Sequence, residues 1–518
     1  MKTKPIIIKL TTCLVLLFAL STAQLYAQGW HSDNGNGTYT NPVIPADFPD
    51  PDVIRVDDTY YMVTTTMFVF PGVTILKSKD LVNWEYCSNA VPRFGFNKAY
   101  DLDGGNRYGH GPWATSIKYH NGKFHLLFIT LNEGGFTCTA TKAEGPWEIK
   151  KLPKGFYDPG LFYDDDGKVY VAQGYNNISL TQVDESLAPI SNDSLIFTGN
   201  IRKGLEGTHV YKINGYYYLY STYGGANGIQ VALRSKNIYG PYEQKVVISD
   251  TTRGINFGIH QGALIQTQTG EWWTILFVDS GPFGRFPSLQ PVTWVDGWPM
   301  VGVNGKGVIT YRKPNVGKIY PVKEFPTSDE FNSGSLGMQW NWNHNPDTTK
   351  WSLTQRPGYL RLTTGKVVAD IMQAPNTLTQ RPFAKHDQTV PTVATTKIEV
   401  SRMKDGDETG LAIFQIPYAY IAVRQTNSIR YIVMVNNGKT IDSIATPKQV
   451  IYLRTLASNG TRMASFEYSF DNKTFKAIGN ELNMQFNLKI FTGNKFCLFN
   501  YATKETGGYV DFDWFRVD

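Results

Sequence analysis

A short phrase that occurs five times before residue 300 restricts this chain to a repeating β architecture. The five copies are DDTYYMV (57–63), NGKFHLL (121–127), DDGKVYV (165–171), INGYYYL (213–219) and QTGEWWT (268–274). Each copy joins a tight turn of Asp, Asn or Gly to an alternating aromatic run, which predicts the centre of a β-hairpin. Periods of about 50 residues are typical of radial arrays, and five such units are enough to close a ring. We therefore predict an all-β protein that begins with a five-bladed β-propeller.

A second pattern repeats between these hairpins. Its copies are KSKDLVNWE (77–85), TKAEGPWE (141–148) and RSKNIYGPYE (234–243), in which a lysine, a turn and an aromatic residue precede a glutamate. Each hairpin therefore carries a second pair of strands, which predicts blades of four strands.

One residue upstream of each phrase is expected to lie at the axis of the ring. These residues are Asp50, Trp113, Asp158, Glu206 and His260, which lie 11, 12, 12, 12 and 13 positions before Tyr61, His125, Tyr170, Tyr218 and Trp273. Equivalent positions of a radial repeat meet at one axis. We expect three carboxylates, an aromatic ring and an imidazole to converge on one pocket.

The chain has 518 residues, which is too long for a single hydrophobic core. The hairpin repeat stops after Trp298-Pro299, so we predict a propeller over 28–318, a linker over 319–326 and a second domain over 327–518. The second domain has alternating strands at a spacing typical of a two-sheet β-sandwich. The predicted strands are Tyr359–Thr363, Thr396–Ser401, Thr409–Phe414, Tyr431–Val435, Val450–Thr455 and Met463–Ser469.

Two acidic pairs lie near the ends of this second domain. If its terminal strands pair, Asp329 and Glu330 would meet Asp511 and Asp513. Carboxylate oxygens are the ligands that Ca²⁺ prefers, so a structural calcium ion is one hypothesis. Ordinary turn and edge-strand residues are the alternative.

The N-terminus has the pattern of a secretory signal peptide over 1–27. Three lysines precede the apolar stretch Leu14–Leu20, and small residues follow, which favours cleavage after Ala27, with Ala23 as the alternative. Cys13 lies inside the apolar stretch, where a lipoprotein cysteine would not be. We expect a soluble exported protein, with the periplasm of a Gram-negative bacterium as its location.

Charge and cysteine content exclude several classes of function. Without the three signal lysines, 47 basic residues face 44 acidic ones, a balance that suggests neither nucleic acid nor a membrane surface as partner. Cys87, Cys138 and Cys497 are few and widely spaced, so we expect buried free thiols and not a disulfide framework.

Asp50, Asp158 and Glu206 together could cleave a glycosidic bond. Such a hydrolysis needs an acid that protonates the leaving oxygen and a base that activates water on the opposite face. A third carboxylate near the acid raises the pKa of that acid, and none of these steps requires a cofactor. Taken singly, an Asp before Pro is usually a turn former, but turn formers need not recur at one depth of a repeat.

Several motifs around these residues resemble glycoside hydrolase family 43. They are Asn41-Pro42-Val43-Ile44, Pro49-Asp50-Pro51-Asp52, Tyr157-Asp158-Pro159-Gly160, Leu205-Glu206-Gly207-Thr208-His209, His260-Gln261-Gly262-Ala263 and Phe283-Gly284-Arg285. The resemblance implies a five-bladed propeller of an inverting enzyme, and the C-terminal segment resembles the concanavalin-like sandwich of β-xylosidase-type members.

The resemblance also implies roles for particular residues. Asp50 resembles the general base, Glu206 the general acid, and Asp158 the residue that tunes the pKa of the acid. Arg285 resembles an arginine that contacts sugar hydroxyls. His260 resembles a histidine that holds a hydrated cation or a water network, with an ordinary buried histidine as the alternative. Trp113 offers an apolar wall for a sugar ring.

These implications predict an exo-acting enzyme that removes terminal α-L-arabinofuranose or β-D-xylose from plant hemicellulose and its oligosaccharides. Gly160 and the order Gly111-Pro112-Trp113 depart from the commoner family pattern, and the latter resembles a subgroup that releases arabinofuranose. A β-xylosidase with little arabinofuranosidase activity, a non-catalytic carbohydrate-binding propeller and a retaining fructosidase-type propeller are the alternatives.

Overall fold

A computed structural model describes residues 31–225, 227–250 and 258–518. The predicted signal peptide over 1–27 lies outside the described residues. The described residues form strands and three short 3₁₀ helices, Lys98–Asp101, Gly281–Phe283 and Ile371–Gln373, with no α-helix among them. None of the helices described is both long and apolar enough to cross a membrane.

The N-terminal half forms five four-stranded antiparallel sheets, as predicted. After β1 (Thr38–Thr40), the strands are β2 (Asp52–Val56), β3 (Thr59–Val63), β4 (Val69–Phe70), β5 (Gly72–Ser78) and β6 (Trp84–Val91); β7 (Trp113–His120), β8 (Lys123–Thr130), β9 (Gly134–Ala140) and β10 (Glu148–Lys151); β11 (Gly160–Tyr163), β12 (Val169–Gln173), β13 (Asn177–Val183) and β14 (Ser194–Thr198); β15 (Leu205–Ile213), β16 (Tyr216–Tyr223), β17 (Ile229–Ser235) and β18 (Glu243–Ile248); and β19 (His260–Gln266), β20 (Trp272–Asp279), β21 (Arg285–Val295) and β22 (Trp298–Val301). Each group forms one blade, except that β4 lies outside the first. Every predicted phrase begins at the hairpin between the first two strands of a blade.

The five blades close into a ring. The first strand of each blade lies at the axis, where β2, β7, β11, β15 and β19 contact one another in sequence and β19 contacts β2. Outside the blades, β1 pairs with β23 (Thr310–Arg312), so the two ends of the propeller segment are joined. The architecture is therefore the predicted five-bladed β-propeller.

The C-terminal part is a two-sheet sandwich of the concanavalin type. Its strands are β24 (Trp340–Asn343), β25 (Trp351–Ser352), β26 (Leu360–Thr363), β27 (Leu378–Gln380), β28 (Thr392–Arg402), β29 (Asp407–Phe414), β30 (Ala419–Thr426), β31 (Ile429–Asn436), β32 (Lys439–Thr446), β33 (Val450–Ala457), β34 (Met463–Ser469), β35 (Lys476–Ala477), β36 (Leu482–Asn483), β37 (Lys495–Ala502) and β38 (Tyr509–Val517). One sheet has the order β32-β31-β30-β29-β37-β27-β24-β4 and the other β25-β26-β38-β28-β33-β34-β35. All six predicted sandwich strands are present, with small changes at their ends.

Propeller and sandwich share a sheet and an aromatic cluster. Strand β4, which belongs to the propeller segment, pairs with β24 at the edge of a sandwich sheet. Phe48 of the propeller packs against Phe325 of the predicted linker and Phe383 of the sandwich, with the three ring centroids 5.3–6.5 Å apart. Burial of large aromatic side chains is among the strongest contributions to an interface, so these contacts fix the sandwich relative to the propeller axis.

Cys87, Cys138 and Cys497 are buried free thiols, as predicted. Burial raises the pKa of the Cys87 thiol to about 12. A thiol of this kind is a packing residue and not a nucleophile.

Candidate active site

One residue in a left-handed backbone conformation stands at the inner end of each blade. These residues are Asp50, Ala114, Asp158, Gly207 and Gln261, with φ between 33° and 60°. Residues other than glycine seldom adopt this conformation, and such strain is concentrated at functional sites. It turns the backbone at the end of the inner strand and determines which side chains face the axis.

The hairpin register shows that the sequence alignment was one residue off in three blades. In each blade, one residue of the inner strand pairs with the residue on which the repeats are aligned, as Ile54 pairs with Tyr61. The left-handed residue lies four positions before that partner, as Asp50 does before Ile54. Trp113, Glu206 and His260 each precede the left-handed residue by one position. The strand register shifts at or next to these three residues, at the start of β7, β15 and β19.

Gly207 is the one glycine among the five left-handed residues. A Cβ atom at this position would come within 2.9 Å of the Gln261 side chain. The absence of a side chain at Gly207 therefore lets the end of β15 approach the fifth blade closely.

The carboxylate of Asp50 is buried and held by two donors. Its Oδ1 accepts a hydrogen bond from Arg285 Nη1 at 2.9 Å, and its Oδ2 accepts one from Thr65 Oγ1 at 2.6 Å. Thr65 Oγ1 in turn accepts a hydrogen bond from the Ala114 backbone N–H at 2.7 Å. These two hydrogen bonds, one of them charge-assisted, fix the position of the Asp50 carboxylate at the axis.

Glu206 lies in a different environment. Burial, followed by the negative charge of Asp50, raises the pKa of Glu206 to about 7, although a hydrogen bond from the Tyr157 hydroxyl at 3.2 Å opposes the shift. A carboxyl group with such a pKa still holds its proton near neutral pH, which is the requirement for a general acid.

Asp158 lies close to both of the other carboxylates. Burial raises the pKa of Asp158 well above its ordinary value, and the charges of Glu206 and Asp50 raise it further, against a hydrogen bond from the Gly207 N–H. Two buried carboxyl groups in mutual repulsion are costly to ionise together. Asp158 and Glu206 therefore retain a proton between them near neutral pH.

Arg285 presents unused donors next to Asp50. Its guanidinium lies 5.3 Å from the ring centroid of Phe277 and 4.9 Å from that of Phe491. Its Nε and Nη2 are buried without a hydrogen-bond partner within the described structure. Buried donors without partners are costly, and a ligand hydroxyl would satisfy them, in agreement with the predicted contact to sugar.

His260 is buried on the same side of the axis. Its Nδ1 lies 2.6 Å from the Gly258 carbonyl oxygen, and its ring packs against Phe277 at 4.5 Å. Burial lowers the pKa of His260, so the imidazole is neutral. In this state Nδ1–H donates a hydrogen bond to the Gly258 carbonyl oxygen, and Nε2 keeps its lone pair. In the part of the chain that the structure describes, no three His, Cys, Asp or Glu residues form a metal-binding group. A cation near His260 would have to bind through water, and this stays a prediction.

Trp113 is partly exposed and forms part of a mixed aromatic wall. Its Nε1 donates a hydrogen bond to the Gly109 carbonyl oxygen at 3.1 Å, and its ring meets Phe491 edge to face at 5.2 Å. Phe491 belongs to the sandwich and lines the cleft, so Trp113 packs across the domain interface, and its role as a wall for a sugar stays a prediction. Sequence reasoning missed Phe491 because nothing in the propeller repeat points to a residue of the second domain.

A cleft of about 750 Å³ opens between the propeller and the sandwich. The propeller contributes Glu206, His260 and Arg285 to its lining, and the sandwich contributes Arg462 and much of the segment 483–491. This volume lies in the range typical of small-molecule sites.

Asp47 connects the two sides of the cleft. Its Oδ1 accepts a hydrogen bond from the Arg285 backbone N–H at 2.9 Å, and its Oδ2 accepts one from the Gly493 backbone N–H at 2.8 Å. The two residues belong to the propeller and the sandwich respectively, so one carboxylate positions both the arginine and the segment that carries Phe491.

The four carboxylates proposed as calcium ligands are engaged elsewhere. The ends of the sandwich do meet, since Asp329 pairs with Phe515. Asp329 accepts a hydrogen bond from Trp340, Glu330 pairs with Arg516, Asp511 with Arg361 and Arg356, and Asp513 with Lys397. Because each carboxylate has its own donor or cation and the described residues contain no metal-binding group of three or more, the structure does not support the calcium hypothesis.

Comparison with known proteins agrees with this geometry. The model of glycosyl hydrolases family 43 matches residues 39–299, and that of the beta-xylosidase C-terminal concanavalin A-like domain matches residues 328–518. A beta-xylosidase of Formosa agariphila is 35% identical over 95% of this chain and 92% of its own length. A non-reducing end alpha-L-arabinofuranosidase of Bacteroides ovatus is 32% identical over 73% of each chain.

Solved structures show the same two-domain arrangement. A bifunctional GH43-CE protein from Bacteroides eggerthii has a TM-score of 0.85 and 38% identity, and the match covers 92% of this chain and 63% of that one. A GH43 glycoside hydrolase engineered for both endo-xylanase and exo-arabinofuranosidase activity has a TM-score of 0.84 and 29% identity, over 93% and 99% of the two chains. The predicted family is thereby confirmed: this chain is a glycoside hydrolase that belongs to family 43 and carries the β-xylosidase-type concanavalin A-like domain.

Proposed function

We propose that this enzyme is an exo-acting, inverting glycosidase that releases terminal α-L-arabinofuranose or β-D-xylose from plant hemicellulose and its oligosaccharides. The observation that carries the proposal is the contrast between two carboxyl groups. Asp50 is paired with Arg285, while the pKa of Glu206 is raised to about 7. One carboxylate pairs with a cation and the other carboxyl group holds its proton up to near neutral pH, and glycoside hydrolysis requires two carboxyl groups in different environments as base and acid.

In this mechanism Glu206 protonates the oxygen of the leaving group, and Asp50 accepts a proton from the attacking water on the opposite face of the sugar. Asp158 tunes the pKa of Glu206, since the two buried carboxyl groups repel each other when both are ionised, and Arg285 donates to sugar hydroxyls. The sandwich segment 483–491 forms one wall of the cleft. A wall of this kind favours a pocket for a chain end over an open groove.

The sugar can be either pentose, because arabinofuranose and xylopyranose present similar hydroxyl arrangements. The order Gly111-Pro112-Trp113 favours arabinofuranose, whereas the beta-xylosidase that aligns over 95% of this chain favours a second candidate, a β-xylosidase with little arabinofuranosidase activity. The N-terminal segment supports export, and we place the enzyme in the periplasm.

Hydrolysis of aryl α-L-arabinofuranoside and aryl β-D-xyloside tests the proposal. We expect turnover of at least one substrate, with β-L-arabinofuranose or α-D-xylose as the first product seen by proton NMR. Retention of configuration would indicate a fructosidase-type mechanism, and binding without turnover would indicate a carbohydrate-binding propeller.

Glu206→Gln removes the acid and keeps the shape of the side chain. We expect kcat to fall roughly 10²–10⁴-fold for poor leaving groups and much less for nitrophenolates, which leave without protonation. Steady-state kinetics on aryl glycosides of graded leaving-group pKa measure this difference. An equal loss on all of them would remove Glu206 from the role of acid.

Asp50→Asn removes the base and should abolish turnover of every substrate, since no leaving group compensates for water that is not activated. Azide should restore part of the rate and yield a glycosyl azide of inverted configuration, which mass spectrometry and NMR detect. A variant that keeps most of the wild-type rate would contradict the assignment.

Asp158→Asn removes the carboxyl group that repels Glu206 when both are ionised. Because the acid must be protonated, the wild-type activity should fall as pH rises through about 7. In the variant Glu206 ionises more easily, so the basic limb of the kcat/KM profile should move to lower pH. An unmoved limb at equal thermal stability would mean that Asp158 acts by position alone.

A further inference from the structure

A buried ion cluster lies next to the active site, and the proposed mechanism does not use it. Asp52, the first residue of β2, follows Asp50 by two positions, and its side chain is fully buried. Its Oδ2 accepts hydrogen bonds from the Ile117 N–H at 2.8 Å and Ser116 Oγ at 3.0 Å, and Lys118 Nζ lies 3.3 Å away. These three donors belong to β7, so this oxygen attaches the first blade to the second.

The other oxygen of Asp52 faces across the axis. Asp52 Oδ1 lies 3.4 Å from Nδ1 of His209, which stands three residues after Glu206 on β15. Neither atom has a hydrogen-bond partner in the described structure. The two side chains are 0% and 10% exposed, so each is a buried polar group within reach of the other.

This contact joins blades that are not neighbours. In the ring, β2 packs against β7 and β19, whereas β15 packs against β11 and β19. Asp52 and His209 therefore connect the first blade directly to the fourth. Asp50 lies two positions before Asp52, and Glu206 lies on β15 three positions before His209.

The two side chains are complementary as hydrogen-bond acceptor and donor. Although burial raises the pKa of Asp52, its neighbours His209 and Lys118 and the hydrogen bonds from β7 lower it overall. Burial lowers the pKa of His209, against the effect of Asp52. A carboxylate that faces a neutral imidazole selects the tautomer with its proton on Nδ1.

We infer that Asp52 and His209 are positioning residues, which hold the general base and the general acid at a fixed separation across the propeller axis. The inference rests on the proposed roles of Asp50 and Glu206. In an inverting mechanism the two carboxyl groups must act on opposite faces of one sugar, so their separation is part of the chemistry. A displacement of about 1 Å in such an arrangement can cost roughly 10²-fold in rate.

Two substitutions of His209 form a matched pair. In His209→Asn the amide nitrogen occupies about the position of Nδ1, so the contact to Asp52 is retained. In His209→Gln the amide nitrogen lies near the position of Nε2, and Asp52 Oδ1 loses its partner. His120→Gln is the control, because His120 lies on the inner strand β7 and stacks on Tyr163 at 4.0 Å without contact to Asp52.

Each variant is assayed on an aryl pentoside with a good leaving group and on one with a poor leaving group. We expect His209→Gln to lower kcat roughly 10- to 100-fold on both substrates, with KM within about twofold because Arg285 and Trp113 are unchanged. His209→Asn should recover most of this loss, and His120→Gln should match the wild type. If His209 has only a structural role, His209→Gln should have a lower melting temperature but no fall in kcat at constant KM.

A double-mutant cycle with Asp52→Asn tests whether the two residues act as a unit. We expect the Asp52→Asn/His209→Gln enzyme to be no slower than the slower single variant, since a broken contact cannot be broken twice. Additive losses in log kcat, wild-type kcat in His209→Gln, or equal losses in the Asn and Gln variants would overturn the inference. If the wild type cleaves neither pentoside, or the Glu206→Gln and Asp50→Asn variants stay active, the proposed function fails instead.

Discussion

The salt bridge between Asp50 and Arg285 is the contact on which the candidate site depends. It joins the first blade to the fifth, across 235 positions of sequence, at the inner end of the propeller. Buried ion pairs add little net stability, because desolvation offsets their attraction, but they select one geometry. Here that geometry fixes Asp50 beside Arg285 and leaves two nitrogens of Arg285 for a ligand. Ring closure and the position of Asp50 therefore depend on the same side chains.

The arrangement of charge around the axis is asymmetric. Arg285 is the cation that meets Asp50, whereas a tyrosine hydroxyl is the donor to Glu206, and Asp158 accepts from a backbone N–H. The pKa of a carboxyl group follows its neighbours more than its own chemistry. Three carboxyl groups of one propeller can therefore differ in protonation, and this difference makes a cofactor unnecessary for acid–base hydrolysis.

The sandwich belongs to the candidate site as much as the propeller does. Phe491 packs against both Trp113 and Arg285, and Asp47 binds backbone groups from each domain. A displacement of the sandwich would move the arginine that holds the base. We therefore regard the cleft as a product of the domain interface and not of the propeller alone.

Turn residues and alternating aromatic runs predict the five hairpins, the four-stranded blades, the sandwich strands and the three carboxylates, because these patterns act locally and recur. The partners of each carboxylate follow from the tertiary structure alone. The register shifts next to Glu206 and His260 leave no trace in an alternating pattern. Asp329 and Asp511 are candidate calcium ligands in the sequence, whereas in the structure each has a donor or cation supplied by a distant strand. Phe491 reaches the cleft from the other domain. Local patterning specifies strands and turns, whereas partners across the axis and across the interface depend on long-range packing.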